Sequence, residues 1–346
     1  MPDRSRARLE LLRPDPFVLA ILLVVVLASL WPAREGLAAG LEVAASLGIA
    51  VLFFLHGARL PREAIVLALT HWRLHGLVLA TTFVVFPLLG LAAAAALGAV
   101  LPGPLTTGLV FLGCVPSTVQ SSIAFTSIAR GNVAAAVGAA ALSNLVGVVL
   151  TPLLVALLVA SAEAGPGGVD ETATGGGLGS AITGVALQLL LPFALGQLLR
   201  PLLSDWVTRR RVLLAVVDRG SILLVVYVAF SAAVVRGLWQ SVSGAELGLL
   251  VAVDAVLLAL VIGFTTLASR VAGLARADEI TVVFCGSKKS LATGVPIAGL
   301  LFPEALAGKV LLPLLVFHQM QLMVMAVIAQ RWARRAARDE AAAEPR

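Results

Sequence analysis

The chain has 346 residues, of which 60% are hydrophobic and only 13% are charged, and its mean hydropathy is +1.02. Soluble domains are about 45–50% apolar and about 25% charged, so this composition excludes a soluble protein and indicates a polytopic membrane protein. The net charge of +6 does not indicate a nucleic-acid partner, because the arginines lie between apolar segments, where orientation signals belong. The lipid bilayer is the expected environment.

Ten apolar stretches of the chain are long enough to cross a bilayer, for which a helix needs about 20 residues. The first of them is interpreted as a spanning helix rather than a signal peptide, because no small-residue cleavage site follows it. The expected fold class is therefore an all-α polytopic membrane protein. We predict transmembrane helices near 16–32, 38–57, 73–99, 104–130, 132–161, 179–200, 215–238, 245–269, 278–302 and 305–331.

The distribution of Lys and Arg predicts the orientation of these helices. With the N-terminus in the cytoplasm, twenty of the 25 cationic residues fall in predicted cytoplasmic segments and only Arg34, Arg236 and Lys309 fall in external ones. The remaining two, Lys288 and Lys289, lie within the ninth predicted helix. Cytoplasmic segments carry an excess of positive charge. We therefore expect both termini in the cytoplasm, residues 333–346 as a cytoplasmic tail, and the protein in the cell's inner (plasma) membrane.

A Gly-rich, acidic segment at 162–179 contains no Lys or Arg and divides the chain into two halves of five helices. The halves are 16–161 and 179–332. Because five is an odd number, the second half must run inverted to the first. Inverted repeats are common in transporters, and they place the solute site at the repeat interface near the bilayer midplane.

Polar residues interrupt the fourth predicted helix around Pro116. A proline removes one backbone donor and leaves carbonyl groups of the preceding turn without a partner. The side chains that follow it offer both donors and acceptors, and they are candidates for binding a solute or an ion. The alternative is that they pack neighbouring helices, as small residues do in membranes. The candidates are Ser117, Thr118, Gln120, Ser121 and Ser122.

A second interruption lies in the ninth predicted helix, in matching position within the second half. An interrupted helix at membrane depth is tolerated only where it lines protein or a water-filled cavity. The predicted helix breaks here are Gly286, Gly294 and Pro296, and the candidate ligands are Ser287, Lys288, Lys289, Ser290 and Thr293.

The adjacent lysines would lie about 100° apart on a helix, so only one of them should face the cavity. That lysine would bind an anionic solute or cycle its proton during transport. The alternative is a fixed cation that holds the two interrupted helices together, since buried ionisable residues also occur in structural ion pairs.

Two further polar residues lie inside apolar stretches. Asp254 is an acid well within the eighth predicted helix, and we name Lys288 or Lys289 as its partner. The alternative is that Asp254 lies near an interface and reaches the headgroups. Asn144 follows the first interruption and is a candidate for the same cavity. The sequence contains no nucleophile–base pair, Walker loop or zinc-ligand set, so neither an enzyme, a metal site nor a cofactor is expected.

At these motifs the chain resembles the bile acid:sodium symporter family, and within it the sodium/bile acid cotransporter 7-like branch. The similarity covers Phe17 to Trp332 and rests on the segments 54–60, 116–132 and 284–294. It implies that the fourth and ninth helices are broken and cross each other. It also implies a panel domain of helices 1, 2, 6 and 7 and a core domain of helices 3–5 and 8–10. Ser122 falls where the family has a Ser at its first sodium site.

The chain departs from the sodium-coupled members of the family. By alignment, Ile123, Phe284 and Lys288 stand where those members carry Asn, Glu and Gln. An acid lost and a cation gained oppose Na⁺ binding electrostatically. We therefore disfavour Na⁺ as a coupling ion and predict that Lys288 or Lys289 replaces the sodium site.

The function expected from these observations is secondary active transport of a small, anionic organic solute by alternating access. One alternative is a Na⁺-coupled symporter of organic anions or bile acids. Another is a membrane regulator of ion homeostasis that transports nothing. The sequence leaves open whether the chain forms a homo-oligomer.

Overall fold

The computed structural model describes residues 16–59, 71–163 and 189–343, and within these ranges every regular element is a helix. Six helices are long and apolar enough to cross a membrane, and three shorter apolar helices accompany them. A chain in lipid must satisfy its backbone groups internally, and helices do so within one segment. The all-α fold class is confirmed, whereas the crossing of the bilayer by ten helices stays a prediction.

Thirteen helices make up the described part of the chain. In chain order they are α1 (Pro16–Leu30), α2 (Glu35–Arg59), α3 (Trp72–Leu97), α4 (Gly103–Cys114), α5 (Gln120–Ile128), α6 (Val133–Glu163), α7 (Leu191–Arg209), α8 (Arg211–Val235), α9 (Leu238–Ser241), α10 (Gly244–Val271), α11 (Arg276–Gly286), α12 (Leu291–Leu301) and α13 (Glu304–Ala343).

Each of the ten predicted stretches contains helix, and most boundaries agree within four residues. The fourth stretch is divided into α4 and α5, and the ninth into α11 and α12. The last helix is longer than predicted, because α13 continues beyond the apolar stretch to Ala343. Residues 179–188, at the start of the sixth predicted helix, and most of the Gly-rich segment lie outside the described residues.

Helices α2 and α7 pack in direct backbone contact. A Cβ atom added to Gly57 would lie 2.1 Å from the carbonyl oxygen of Phe193, and one added to Gly196 would lie 2.0 Å from that of Phe54. Only glycine fits at such a distance, and small residues at helix interfaces are typical of membrane proteins. Helix α8 packs against α1 and α2, and Arg59 of α2 forms an ion pair with Asp218 of α8.

The helices around the two interruptions form the other part of the structure. Helix α4 packs against α3, α6 and α13, and α10 packs against α11 and α13. Helix α8 also contacts α12 and α13, so it lies between this part and α1 and α2. The interrupted segments are thus enclosed by long apolar helices.

Candidate functional site

The two helix interruptions contact each other directly. The backbone N–H of Ser290 donates to the carbonyl oxygen of Pro116 at 2.7 Å, which joins the α11–α12 break to the α4–α5 break. In the opposite direction, the hydroxyl of Ser117 donates to the carbonyl oxygen of Cys285. The hydroxyl of Ser122 donates to the carbonyl oxygen of Phe284 at 3.0 Å. The predicted contact between the two interruptions is therefore observed, and we call the place where the two breaks meet the crossing.

Lys289 places its ammonium group among three backbone carbonyl oxygens. Its Nζ donates to Thr82 at 2.9 Å, to Gly113 at 2.6 Å and to Val115 at 2.8 Å. It also lies 4.2 Å from the centre of the Phe86 ring, in the geometry of a cation–π contact. We call the carbonyl oxygens of Thr82, Gly113 and Val115 the carbonyl cradle. An ammonium group has three donors, and the cradle satisfies all of them.

The first oxygen of the cradle is available because of the local sequence of α3. The segment Thr81–Val85 forms a wide π-helical turn, in which the N–H of Phe86 bonds to the carbonyl of Thr81. In this pattern the carbonyl of Thr82 would receive the N–H of the next residue. That residue is Pro87, which has no N–H. The Thr82 carbonyl is therefore left for Lys289.

The other two oxygens come from the break after α4. In a continuous helix the Gly113 carbonyl would pair with the N–H of Ser117, but that N–H donates to the hydroxyl of Ser143 at 3.0 Å. Val115 is extended, with φ −73° and ψ 151°, so its carbonyl leaves the helical direction. Pro116 then prevents the chain from resuming the helix at once. Gly113 also lets α4 approach α3, because a Cβ there would lie 2.7 Å from the Phe86 carbonyl oxygen.

Gln321 of α13 fixes the backbone of Lys289. The amide oxygen of Gln321 accepts from the Lys289 N–H at 2.8 Å, and its amide nitrogen donates to the Lys289 carbonyl at 2.9 Å. His318 Nδ1 lies 3.1 Å from the same carbonyl oxygen. The side chain of Gln321 is fully buried. One side chain thus satisfies both polar groups of a residue outside any helix.

Lys288 is equally buried but has far fewer partners. Its Nζ donates to the hydroxyl of Ser121 at 3.0 Å and lies 4.1 Å from the centre of the Phe125 ring. No other hydrogen bond or ion pair of this ammonium group occurs among the described residues. Two of its three donors therefore remain available within the described part of the chain.

A chain of polar contacts connects the start of α12 to the first break. The Ser290 hydroxyl caps α12 by accepting from the Thr293 N–H at 3.2 Å, and the Thr293 hydroxyl donates to the amide oxygen of Asn144 at 2.9 Å. The amide nitrogen of Asn144 donates to the Ser117 carbonyl at 2.9 Å. Asn144 therefore lies between the two breaks and contacts both of them.

The remaining hydroxyl candidates also lie at the crossing. Thr118 is within 3.0 Å of both Ser121 and Ser122, oxygen to oxygen. The Ser287 hydroxyl lies 3.1 Å from the hydroxyl of Thr265 on α10. The Thr118, Ser121 and Ser122 hydroxyls form one network that reaches Lys288 through Ser121, and the Ser287 contact connects α10 to the second break.

Two sequence-predicted site residues are not brought into the network. Gln120 begins α5 with an exposed side chain and has no hydrogen bond among the described residues. Asp254 is fully buried in α10, and neither of its carboxyl oxygens has a hydrogen-bonding partner in the described part of the chain. The predicted ion pair of Asp254 with Lys288 or Lys289 is therefore not formed. The alternative of an interfacial Asp254 is also wrong, because the side chain is enclosed by protein.

Two of the predicted helix breaks are wrong. Gly294 and Pro296 both lie inside α12, which runs without interruption from Leu291. Pro296 falls early enough in the helix that it removes only one hydrogen bond of the second turn. Gly294 serves packing instead, because a Cβ there would lie 2.5 Å from a methyl group of Leu314 and 3.1 Å from one of Val115.

Pro116 and Gly286 are confirmed as breaks, since Pro116 lies between α4 and α5 and Gly286 ends α11. The angle of 100° between the lysines is wrong, because residues 287–290 are not helical. Sequence reasoning missed Gln321, Thr82 and Thr265. Pro87 was a sequence signal for Thr82, because a proline leaves a carbonyl group of the preceding turn without a donor. The other residues are found only through contacts between distant segments.

A small cavity of about 60 Å³ lies where α2 and α8 meet α12 and α13. It is lined by Glu42 and Ser46 of α2, Ala229 of α8, Gly299 of α12 and Ala307 of α13, among others. Its size allows a few water molecules.

Comparison with known proteins identifies the family of the chain. The profile of the SBF-like CPA transporter family matches residues 15–334. The chain belongs to this family. This family member is accordingly a multi-pass membrane transporter of small solutes and not an enzyme.

Relatives of this family member align along nearly the whole chain. An uncharacterized protein of Pseudomonas aeruginosa is 54% identical, over 95% of this chain and 96% of its own length. The Escherichia coli protein named "Putative symporter YfeH" is 48% identical, over 92% and 93%. Sodium/bile acid cotransporter 7 of Xenopus tropicalis is 27% identical, over 92% of both chains. The resemblance drawn from the sequence motifs is confirmed.

Proposed function

We propose that this family member is a secondary active transporter that moves a small, anionic organic solute across the cell's inner membrane by alternating access. Ten helices cross the bilayer as two inverted five-helix repeats, 16–161 and 179–332, with both termini in the cytoplasm. The panel consists of α1, α2, α7 and α8, and the core contains the crossed breaks. The contacts between α2, α7 and α8 and the cavity where α2 and α8 meet α12 and α13 support this division.

The observation that carries the proposal is the ammonium group of Lys289 in the carbonyl cradle. Backbone oxygens released by broken helices coordinate Na⁺ in other transporter folds. Here three such oxygens lie 2.6–2.9 Å from a covalently attached cation. Lys289 therefore takes the place of a bound ion and balances the negative ends of the carbonyl dipoles. A carrier with this built-in cation does not need Na⁺ to complete its core.

Lys288 is the residue that we assign to the solute. It lies next to Lys289 at the same crossing, but its ammonium group has only the Ser121 hydroxyl and the Phe125 ring as partners among the described residues. A buried cation with unused donors attracts an anion more strongly than a cation in water does, because the surrounding medium screens it less. A carboxylate or sulfonate of the solute would complete its coordination in the solute-bound state.

The names of the vertebrate relatives favour a second candidate, which is Na⁺-coupled symport of a bile acid. The occupied cradle opposes it, because a sodium ion at that place would have to displace the Lys289 ammonium group. A regulator without transport activity is the third candidate. It predicts that no organic anion crosses the membrane in the presence of the purified protein.

Uptake into proteoliposomes distinguishes the three candidates. The probes are ethanesulfonate, benzenesulfonate and taurocholate, which differ in size and stay anionic over a wide pH range, so that any pH dependence belongs to the protein. We expect saturable uptake of at least one probe that is equal in Na⁺ and in choline buffer. Uptake that requires Na⁺ would establish the second candidate, and no uptake of any probe would contradict the proposal.

The variant Lys288→Gln tests the assignment of the solute-binding residue. Loss of a charge-assisted hydrogen bond, about 1.5–3 kcal/mol, predicts an apparent affinity about 10- to 100-fold weaker. Lys309→Gln is the matched control, because Lys309 is a partly exposed lysine on α13, outside the crossing. An unchanged affinity in Lys288→Gln would remove this residue from the solute site.

A further inference from the structure

Asp254 is a buried acid that the crossing does not use. It lies in the middle of α10, its side chain has no exposed surface, and both of its carboxyl oxygens lack a hydrogen-bonding partner among the described residues. Acids inside membrane-spanning helices are rare and are found mainly where they move ions or protons. Because burial inside the protein excludes contact with lipid headgroups, a role in moving protons or ions is the one to test for Asp254.

Asp254 is on the face of α10 that leads to the second break. The buried residues on this face include Leu250, Val261 and Thr265, and the hydroxyl of Thr265 contacts that of Ser287 beside Lys288. Asp254 precedes Thr265 by eleven residues, which corresponds to about 16 Å along the helix axis. The acid is thus on the same buried stripe as the crossing but three turns away from it.

No cation compensates Asp254 in this conformation, as far as the described residues extend. The helices with extensive contact to α10 are α11 and α13, and α3 also touches it. Within the described residues, none of the charged or titratable groups on these elements forms an ion pair or a hydrogen bond with Asp254. These groups are Arg73 and His75 on α3, Arg276, Asp278, Glu279 and Cys285 on α11, Lys288 and Lys289 after it, and Lys309, His318, Arg331, Arg334, Arg335 and Arg338 on α13.

An ionised carboxylate without a partner inside a protein costs several kcal/mol. The neutral acid form avoids this cost, so the enclosed side chain is best accommodated with a proton attached. The proton cannot leave while Asp254 has no contact with water. A conformation that opens the α10 face to one side of the membrane would allow the proton to exchange with that side.

We propose that Asp254 is the proton-binding site of the transport cycle, so that the coupling ion is H⁺. The inference rests on the proposed function, because the Lys289 ammonium group in the cradle fills the place through which a sodium-coupled carrier would use the Na⁺ gradient. Import of a monovalent anion works against an inside-negative potential, by about 2.3 kcal/mol per 100 mV. One proton carried with each anion makes the step electroneutral. In this structure the proton is occluded.

Infrared spectroscopy of the purified protein tests the proton itself and needs no solute. The C=O stretching band of a protonated carboxylic acid should be present in the wild type and absent in Asp254→Asn. It should shift after exchange into D₂O, which shows that the proton leaves and returns. Asp205→Asn is the matched control, because Asp205 is an exposed acid on α7. A wild type without the band, or a band that does not respond to D₂O, would overturn the proposal.

If Asp254→Asn does not fold, Asp254→Glu provides a second variant, in which the band should persist at a shifted frequency. Proteoliposomes then test coupling with benzenesulfonate in Na⁺-free buffer. An inward proton gradient should accelerate uptake by the wild type and by Asp205→Asn, and this acceleration should be lost in Asp254→Asn. Acceleration that survives in Asp254→Asn overturns the assignment of Asp254. If no preparation moves any sulfonate, the proposed carrier function fails, while the infrared result still decides whether Asp254 holds an exchangeable proton.

Discussion

Lys288 and Lys289 are neighbours in the sequence and equally buried, yet they lie in opposite environments. Lys289 has its three donors on carbonyl oxygens and its own backbone groups bound by Gln321. Lys288 has one hydroxyl and one aromatic ring. Burial alone therefore does not distinguish the lysine that we propose as structural from the lysine that we propose as solute-binding. The number of partners that each ammonium group already has is what separates them.

The two breaks also differ in the groups that they supply to the contact between them. The α4–α5 break mainly supplies oxygen acceptors, because its proline and its extended residue release carbonyl groups. The α11–α12 break supplies the two lysines and one backbone N–H, and the N–H and Lys289 donate to these oxygens. The crossing is thus held by charge–dipole attraction between two segments that would each be unfavourable alone in a bilayer.

Replacing the two lysines in turn should give the largest difference in stability. Lys289→Met leaves three buried carbonyl oxygens without a donor, and we expect a loss of about 3–5 kcal/mol, as for a broken buried ion pair. Lys288→Met removes one hydrogen bond and one ring contact, so we expect a loss of about 1–2 kcal/mol. Thermal denaturation of the purified variants in detergent measures both. Equal losses would contradict the distinction between the two lysines.

The role of Gln321 can be tested against a neighbouring glutamine. Gln321→Leu leaves both backbone groups of Lys289 unpaired, and we expect a loss of about 2–3 kcal/mol. Gln319→Leu is the control on the same helix, since the amide oxygen of Gln319 is buried without a partner among the described residues. This change should be neutral or stabilising in the same denaturation assay. A larger effect at Gln319 than at Gln321 would argue against the bidentate contact.

The smallest expected effect concerns the hydroxyls of the first break. Ser122→Ala removes the donor to the Phe284 carbonyl and should lower stability by about 1 kcal/mol. Gln120→Ala removes an exposed side chain with no hydrogen bond among the described residues, and its effect should stay within about 0.5 kcal/mol. The melting temperatures of the two variants, compared with wild type, check this order.

Much of this site could be predicted because polar residues are costly inside an apolar, membrane-spanning chain and are retained there mainly at functional sites. Pro116, Gly286 and the two lysines stand out in such a sequence, and the structure brings both clusters together. The prediction for Pro296 is wrong because a proline in the second turn of a helix leaves the same sequence signal as one that ends it. Gly294 is similar, since glycine serves close packing as well as chain reversal.

The assignment of partners could not be predicted. Which carbonyl oxygens meet Lys289 depends on how α3, α4 and α13 pack, and no local pattern encodes that. Opposite charge led us to predict an ion pair between Asp254 and one of the lysines. The pair is not formed, because Asp254 lies three turns of α10 away from the crossing. Gln321 has no side-chain signal in the sequence, because its partner is a backbone unit 32 residues earlier.

The backbone contact between α2 and α7 has a consequence for biogenesis. Gly57 and Gly196 are complementary surfaces of one interface, but about 140 residues of chain separate them. At a synthesis rate of about 5–20 residues per second, α2 waits roughly 7–30 s for its partner. During that interval its glycine groove faces lipid or another protein. Insertion of α7 therefore completes the packing of α2. A ribosome that stalls before α7 would leave α2 in the membrane with an exposed glycine surface that other glycine-rich helices can occupy.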